Sequence, residues 1–123
     1  MKSRLFAGVL ALGLFVGQMP LAAHHSTTMY NMAAPSTVTG KVKRFEWTNP
    51  HAYIYLDVTG ADGKVTTWEI EMMSLNHLRG YGWTSKTVKP GDSLSATGAP
   101  AKSGAPSMIA NRMKLTDGRE IRS

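Results

Sequence analysis

The sequence has no cysteine. That removes a disulfide framework, a thiolate nucleophile and every thiolate metal site in one step. It also lacks a hydrophobic run long enough to cross a bilayer. The uninterrupted apolar stretch from Leu5 to Val16 falls well short of the roughly 20 residues a spanning helix needs. There is no Gly-x-Ser-x-Gly elbow and no phosphate-cradling glycine loop. Acidic residues are scarce, 8 against 14 Lys and Arg, for a net charge of +6. The basic residues are spread out, with no run beyond Lys41-Val42-Lys43-Arg44, so the charge alone names no partner. Glu69 and Glu71 share one strand face and read as surface carboxylates, and the adjacent His25 and Ser26 point apart on an extended arm. We expect a non-enzyme.

What is present begins with a leader. Met1-Lys2-Ser3-Arg4 is basic, Leu5 to Val16 is apolar, Gly17 to Pro20 break the run, and Leu21-Ala22-Ala23 offers small residues to signal peptidase. Residues 1–23 are therefore expected to be a Sec-type signal peptide, and the product to be periplasmic or secreted, with no transmembrane anchor in its mature form. Removing Lys2 and Arg4 leaves 12 basic against 8 acidic residues, or +4. A mature chain of about 100 residues suits one small domain whose stability comes from a packed core.

From His24 to Ser36 there is little periodicity, which predicts an irregular arm over 24–36. From Thr37 the pattern becomes short strands separated by turns. Val38, Gly40 and Val42 alternate, and Phe45 and Trp47 continue one residue out of phase. This slip predicts a bulge at Gly40 or at the Lys43-Arg44 step. Thr48-Asn49-Pro50-His51 is a turn. Ile54, Leu56 and Val58 face inward, and Tyr53, Tyr55 and Asp57 outward. Gly60 to Gly63 turns the chain into a strand with Trp68, Ile70 and Met72 on its apolar face.

Ser74 has the character of a helix N-cap for a turn or two ending at Gly80 and Gly82. Val88 to Asp92 turns into a strand over Ser93 to Gly98. Ala99 to Pro106 reads as a loop, and Ser107 to Leu115 as a last strand with Ile109, Met113 and Leu115, closed by Asp117-Gly118. The order predicts a mainly all-β protein: a five-stranded OB-like Greek-key barrel over 37–123 with one short helix, preceded by a cleaved signal helix. An open meander or sandwich is the competing arrangement of the same strands.

Several motifs recur together in this order: His24-His25-Ser26, Glu46-Trp47-Thr48-Asn49-Pro50-His51, Tyr53 to Val58, Gly82-Trp83-Thr84 and Lys89-Pro90-Gly91-Asp92. With Gly98, Pro100-Ala101, Gly104 and Asp117-Gly118-Arg119, they resemble a family of small exported bacterial proteins of unknown function. The resemblance implies a signal peptide, a mature His-His-Ser start and a small β-rich domain. It implies no activity. His24, His25 and His51 match its pattern, whereas His77 does not.

Two kinds of site fit these residues. Cleavage after Ala23 would give His24 a free amine beside its imidazole, a chelating pair suited to copper. His51 or His25 would add a third nitrogen, completing the planar arrangement that Cu(II) prefers. Cleavage one residue earlier would give Ala23-His24-His25, whose amine, two backbone amides and third-position imidazole also bind Cu(II). Met29 and Met32 in the arm are soft thioether donors suited to Cu(I). Zinc through three histidines is the second choice of metal. The same histidines would otherwise be a solvated tail. The alternative site is metal-free: Tyr53 and Tyr55 on one face, with Trp47 near the first loop, would contact a glycan, a small molecule or a partner protein. Nucleic acid is not the expected partner of an exported protein. Trp68 is expected in the core, and Trp83 is expected to plug the barrel.

Overall fold

A computed structural model describes residues 27–123. The expected signal peptide, His24 and His25 lie outside the described residues. Among those described, no helix is long and apolar enough to cross a membrane.

The chain runs through a short 3-10 turn (Thr27–Met29), β1 (Ser36–Glu46), β2 (Tyr53–Thr59), β3 (Val65–Glu71), α1 (Leu75–Gly80), β4 (Ser93–Pro100), β5 (Ser107–Lys114) and β6 (Glu120–Arg122). The strands form a six-stranded sheet in the order β3-β2-β1-β4-β5-β6, and a parallel pairing of β3 with β5 closes the first five into a barrel. This is the OB-like Greek-key barrel expected from the strand order, not an open meander. Closure hides the edges that β3 and β5 would otherwise expose over the residues they pair.

β1 makes closure possible because it serves two partners in turn. Ser36 to Lys41 pair with β4, and Lys41 to Glu46 pair with β2. The register slips between Val42 and Arg44, at the handover and at the step where the hydrophobic phase changes. A bulge inserts one unpaired residue and bends the strand, so Val42 can face the core while Phe45 and Trp47 pack against it from the next phase. Gly40 and Gly98 sit where strands cross closely. A Cβ at Gly40 would overlap the Asp57 carbonyl, and one at Gly98 would overlap the Ile109 carbonyl.

The barrel interior is filled by Ile54, Leu56, Ile70, Met72, Leu94, Ala96, Met108 and Met113, all fully buried. Each large aliphatic side chain contributes about 1.5–3 kcal/mol by leaving water. Leu75 and Leu78 of α1 join this core, and Trp83 is 1% exposed. The Trp83 indole packs near Phe45 with ring centroids 6.0 Å apart. Its Nε1–H donates to the Arg122 carbonyl at 2.6 Å.

Three local expectations need correction. Ser74 has the extended backbone of an N-cap but makes no side-chain cap bond; its hydroxyl bonds instead to His77 Nδ1 at 2.8 Å. On β5 the inward residues are Met108, Ala110 and Met113, while Ile109 faces out, opposite Glu71 of β3. Asp117-Gly118 does not end the sheet: it turns the chain into β6, which pairs with Arg112 to Lys114. Gly118 has φ +86°, the left-handed conformation that glycine adopts without a Cβ penalty.

Candidate functional site

Because side chains alternate along a strand, β2 and β3 lay out cross-strand pairs on the outside of the barrel: Tyr53 with Glu71, Tyr55 with Glu69, and Asp57 with Thr67. The parallel partner β5 extends two of these rows, setting Ile109 beside Glu71 and Ser107 beside Glu69. The turn through the cis Asn49-Pro50 peptide delivers His51 to the start of the same face.

His51 is held by one specific contact. Its Nδ1 lies 2.9 Å from the Met72 carbonyl, which can only accept, so Nδ1 carries the proton. In the neutral imidazole the other ring nitrogen, Nε2, then holds the lone pair, on a side chain that is 42% exposed. Anchoring one imidazole nitrogen on a backbone carbonyl is how a metal-ligating histidine has its tautomer and ring orientation set.

Beside it stands Glu71, with Oε1 3.7 Å from His51 Nδ1. The Glu71 side chain is only 8% exposed, and its Oε2 is buried with no hydrogen-bond partner. Sequence reasoning places Glu69 and Glu71 together as surface acids; the structure separates them. Strand alternation alone turns Glu71 outward. Glu71 is buried where the parallel β5 strand sets Ile109 beside it, a long-range contact that periodicity does not carry. An unpaired buried carboxylate oxygen is costly, and a bound cation would remove that cost.

Tyr53 registers the same environment. Burial pushes its phenol up, Glu71 and Glu69 push in the same direction, and Tyr30 and Tyr55 add to this, bringing it to about 12. Each cause disfavours a negative charge on the phenol.

The N-terminal arm is tied to this region. Tyr30 is buried and forms an isolated β-bridge with Ala101. Asn31 N–H donates to the Pro100 carbonyl at 2.8 Å, and Lys102 N–H donates to the Met29 carbonyl at 2.9 Å. The Tyr30 hydroxyl lies 3.5 Å from Ser107 Oγ, on the residue paired with Glu69. Tyr30 is the anchor that sequence reasoning missed; a lone aromatic in a stretch of small and polar residues was the available signal.

The remaining candidates fall in different places. Met29 and Met32 are exposed on the arm, and Met29 lines a cleft of about 340 Å³ with Tyr30, Glu69 and Lys102. Trp47 packs against the core, edge-on to Phe45 at 5.7 Å, with the Arg79 guanidinium 5.7 Å from its ring centroid. Tyr55 lies under the Arg44 guanidinium, 4.2 Å from its centroid, in an open cleft of about 360 Å³ shared with Lys43 and Thr67. Trp68, expected in the core, is partly buried and packs against it, and Trp83, expected to plug the barrel, lies within the core. Among the described residues no three His, Asp or Glu side chains converge as a metal set. The barrel itself offers His51 and Glu71.

The fold has solved counterparts. The chain is similar to the mitochondrial single-stranded DNA-binding protein Rim1 of S. cerevisiae, with a TM-score of 0.51 at 12% identity, over 67% of this chain and 92% of that one. The selenomethionine-labelled form of Rim1 aligns with a TM-score of 0.50 at 13% identity over the same shares. At this identity the likeness establishes the barrel alone. No curated protein matches the sequence. The sequence profile of a family of unknown function, DUF6152, matches residues 13–110, and the chain belongs to that family.

Proposed function

We propose that this is an exported, non-catalytic OB-like protein that binds a transition metal, copper before zinc, where its processed N-terminus meets the barrel. In this reading His24 supplies its amine and imidazole and His51 Nε2 supplies the third nitrogen. His25 is the substitute ligand, and Met29 or Met32 is the axial donor. Nitrogen donors rank copper above the other divalent first-row metals. The observation that carries the reading is the His51–Met72 hydrogen bond, which leaves Nε2 as a fixed, accessible acceptor next to Glu71. The arm supports it, because Tyr30 fixes the chain near Ser107 and Glu69 only a few residues after His25. The role that follows is holding or delivering the metal in the cell envelope.

Titration with Cu(II) tests this. The chain beginning at His24 should bind with submicromolar affinity. A residue added before His24, or His51→Gln, should weaken binding more than tenfold, about 1.4 kcal/mol. Equal affinity for the extended and native forms would rule out the amine as a ligand.

A second reading has its own support. The Arg44-covered Tyr55 cleft with Lys43 and Thr67 could hold a glycan or small anionic ligand without metal. Rim1 is a single-stranded DNA-binding protein. Here Glu69 and Glu71 flank the two tyrosines, which opposes a phosphate chain on that face, and we do not propose nucleic acid as the partner.

A further inference from the structure

The soft donor of the metal site need not come from the arm. The carbonyl that accepts the His51 Nδ1 proton belongs to the peptide joining Met72 to Met73. Standard backbone dimensions therefore hold the Met73 Cα within about 6 Å of the imidazole. The local pairing reinforces this. Ala52 N–H donates to the Met73 carbonyl at 3.4 Å, while the Ala52 carbonyl accepts from Met72 N–H at 2.9 Å. One residue of the β2 side thus faces two residues just past the end of β3, a bulge-like irregularity at two consecutive methionines, which alternation turns to opposite sides. Met72 is buried in the core, whereas Met73 is 37% exposed.

We infer that His51 Nε2 and Met73 Sδ form a Cu(I)-selective pair on the barrel, with the buried Glu71 carboxylate supplying the neutralising charge beside them. An exposed methionine whose Cα is held within about 6 Å of an imidazole can offer a soft sulfur beside a nitrogen donor, the chemistry that favours Cu(I) over hard cations. Glu71 adds an independent pointer, since its Oε2 is buried without a partner and a monovalent cation nearby would compensate it. The inference rests on the metal reading of His51 but needs neither cleavage of the leader nor the N-terminal amine. Met29 and Met32 make no contribution to this pair.

The test uses the chain from His24 carrying an added N-terminal residue, which blocks amine ligation. Silver(I), a redox-inert stand-in for Cu(I), is added while the methionine methyl groups are followed by NMR. The Met73 methyl should shift and saturate at one equivalent, with the Met29 and Met32 methyls unmoved. Met73→Leu should weaken Cu(I) binding about tenfold or more in competition with a chromophoric Cu(I) chelator, and a Met29→Leu/Met32→Leu double variant should not. Shifts confined to Met29 and Met32, or undiminished Cu(I) affinity in Met73→Leu, would overturn the inference. Cu(II) binding by the native N-terminus is measured separately, so its failure and the failure of the Met73 pair are distinguishable.

Discussion

Trp83 and Glu71 are both almost fully buried, and the fold treats their polar atoms in opposite ways. The Trp83 indole fills the core between α1, Phe45 and the last strand, and its N–H is spent on the Arg122 carbonyl. Glu71 is enclosed between Tyr53 and Ile109, beside His51, yet one of its oxygens has no partner. The first arrangement is what stability alone selects. The second is a local cost: among the described residues, Glu71 Oε2 and Ser123 Oγ are the buried side-chain atoms without a partner. Strain of this kind collects where a fold keeps a group ready for something outside itself.

The largest expected effect breaks the Trp83 side of the comparison. Trp83→Ala removes a large buried ring and orphans the Arg122 carbonyl, and should cost about 3–5 kcal/mol in chemical denaturation. Glu71→Gln should act in the other direction. With the buried charge gone, the metal-free protein should gain about 1 kcal/mol, while metal affinity falls. A loss of stability in Glu71→Gln would mean that the carboxylate supports the fold.

The smallest effect is read through Tyr53. An unfolded tyrosine ionises near 10, and Tyr53 in the folded chain near 12. Between those values the unfolded chain has released a proton that the folded chain still binds, so stability present below pH 10 should fall as pH rises to about 12. Ultraviolet titration should show a late tyrosine signal that is lost in Tyr53→Phe and moves to lower pH in Glu71→Gln.

Local periodicity made most of the barrel legible. The alternation over Ile54, Leu56 and Ile70, the phase slip near Lys43-Arg44, the glycine turns and the one-turn helix all appear where expected. What escaped depended on contacts remote in sequence. The phase of β5 is set by its parallel partner, not by its own weak pattern of Met108, Ile109 and Ala110. β6 is only three residues long, too short to show a period. At the site, His51 was recognisable as a loop histidine after proline, but the carbonyl that fixes its tautomer lies 21 residues away. Glu71 resembled its neighbour Glu69, and the difference in their burial follows from no local pattern. Met73, adjacent to a core methionine, carries no sequence signal that would single it out.

The central claim is that the processed N-terminus and His51 together form a metal site. Native mass spectrometry of the exported protein, recorded with and without one equivalent of Cu(II), tests it most directly. The account predicts a chain beginning at His24 that retains one copper ion, and loss of that ion in His51→Gln. A chain that begins at His24 and binds no copper, or binds it equally well in His51→Gln, would contradict it.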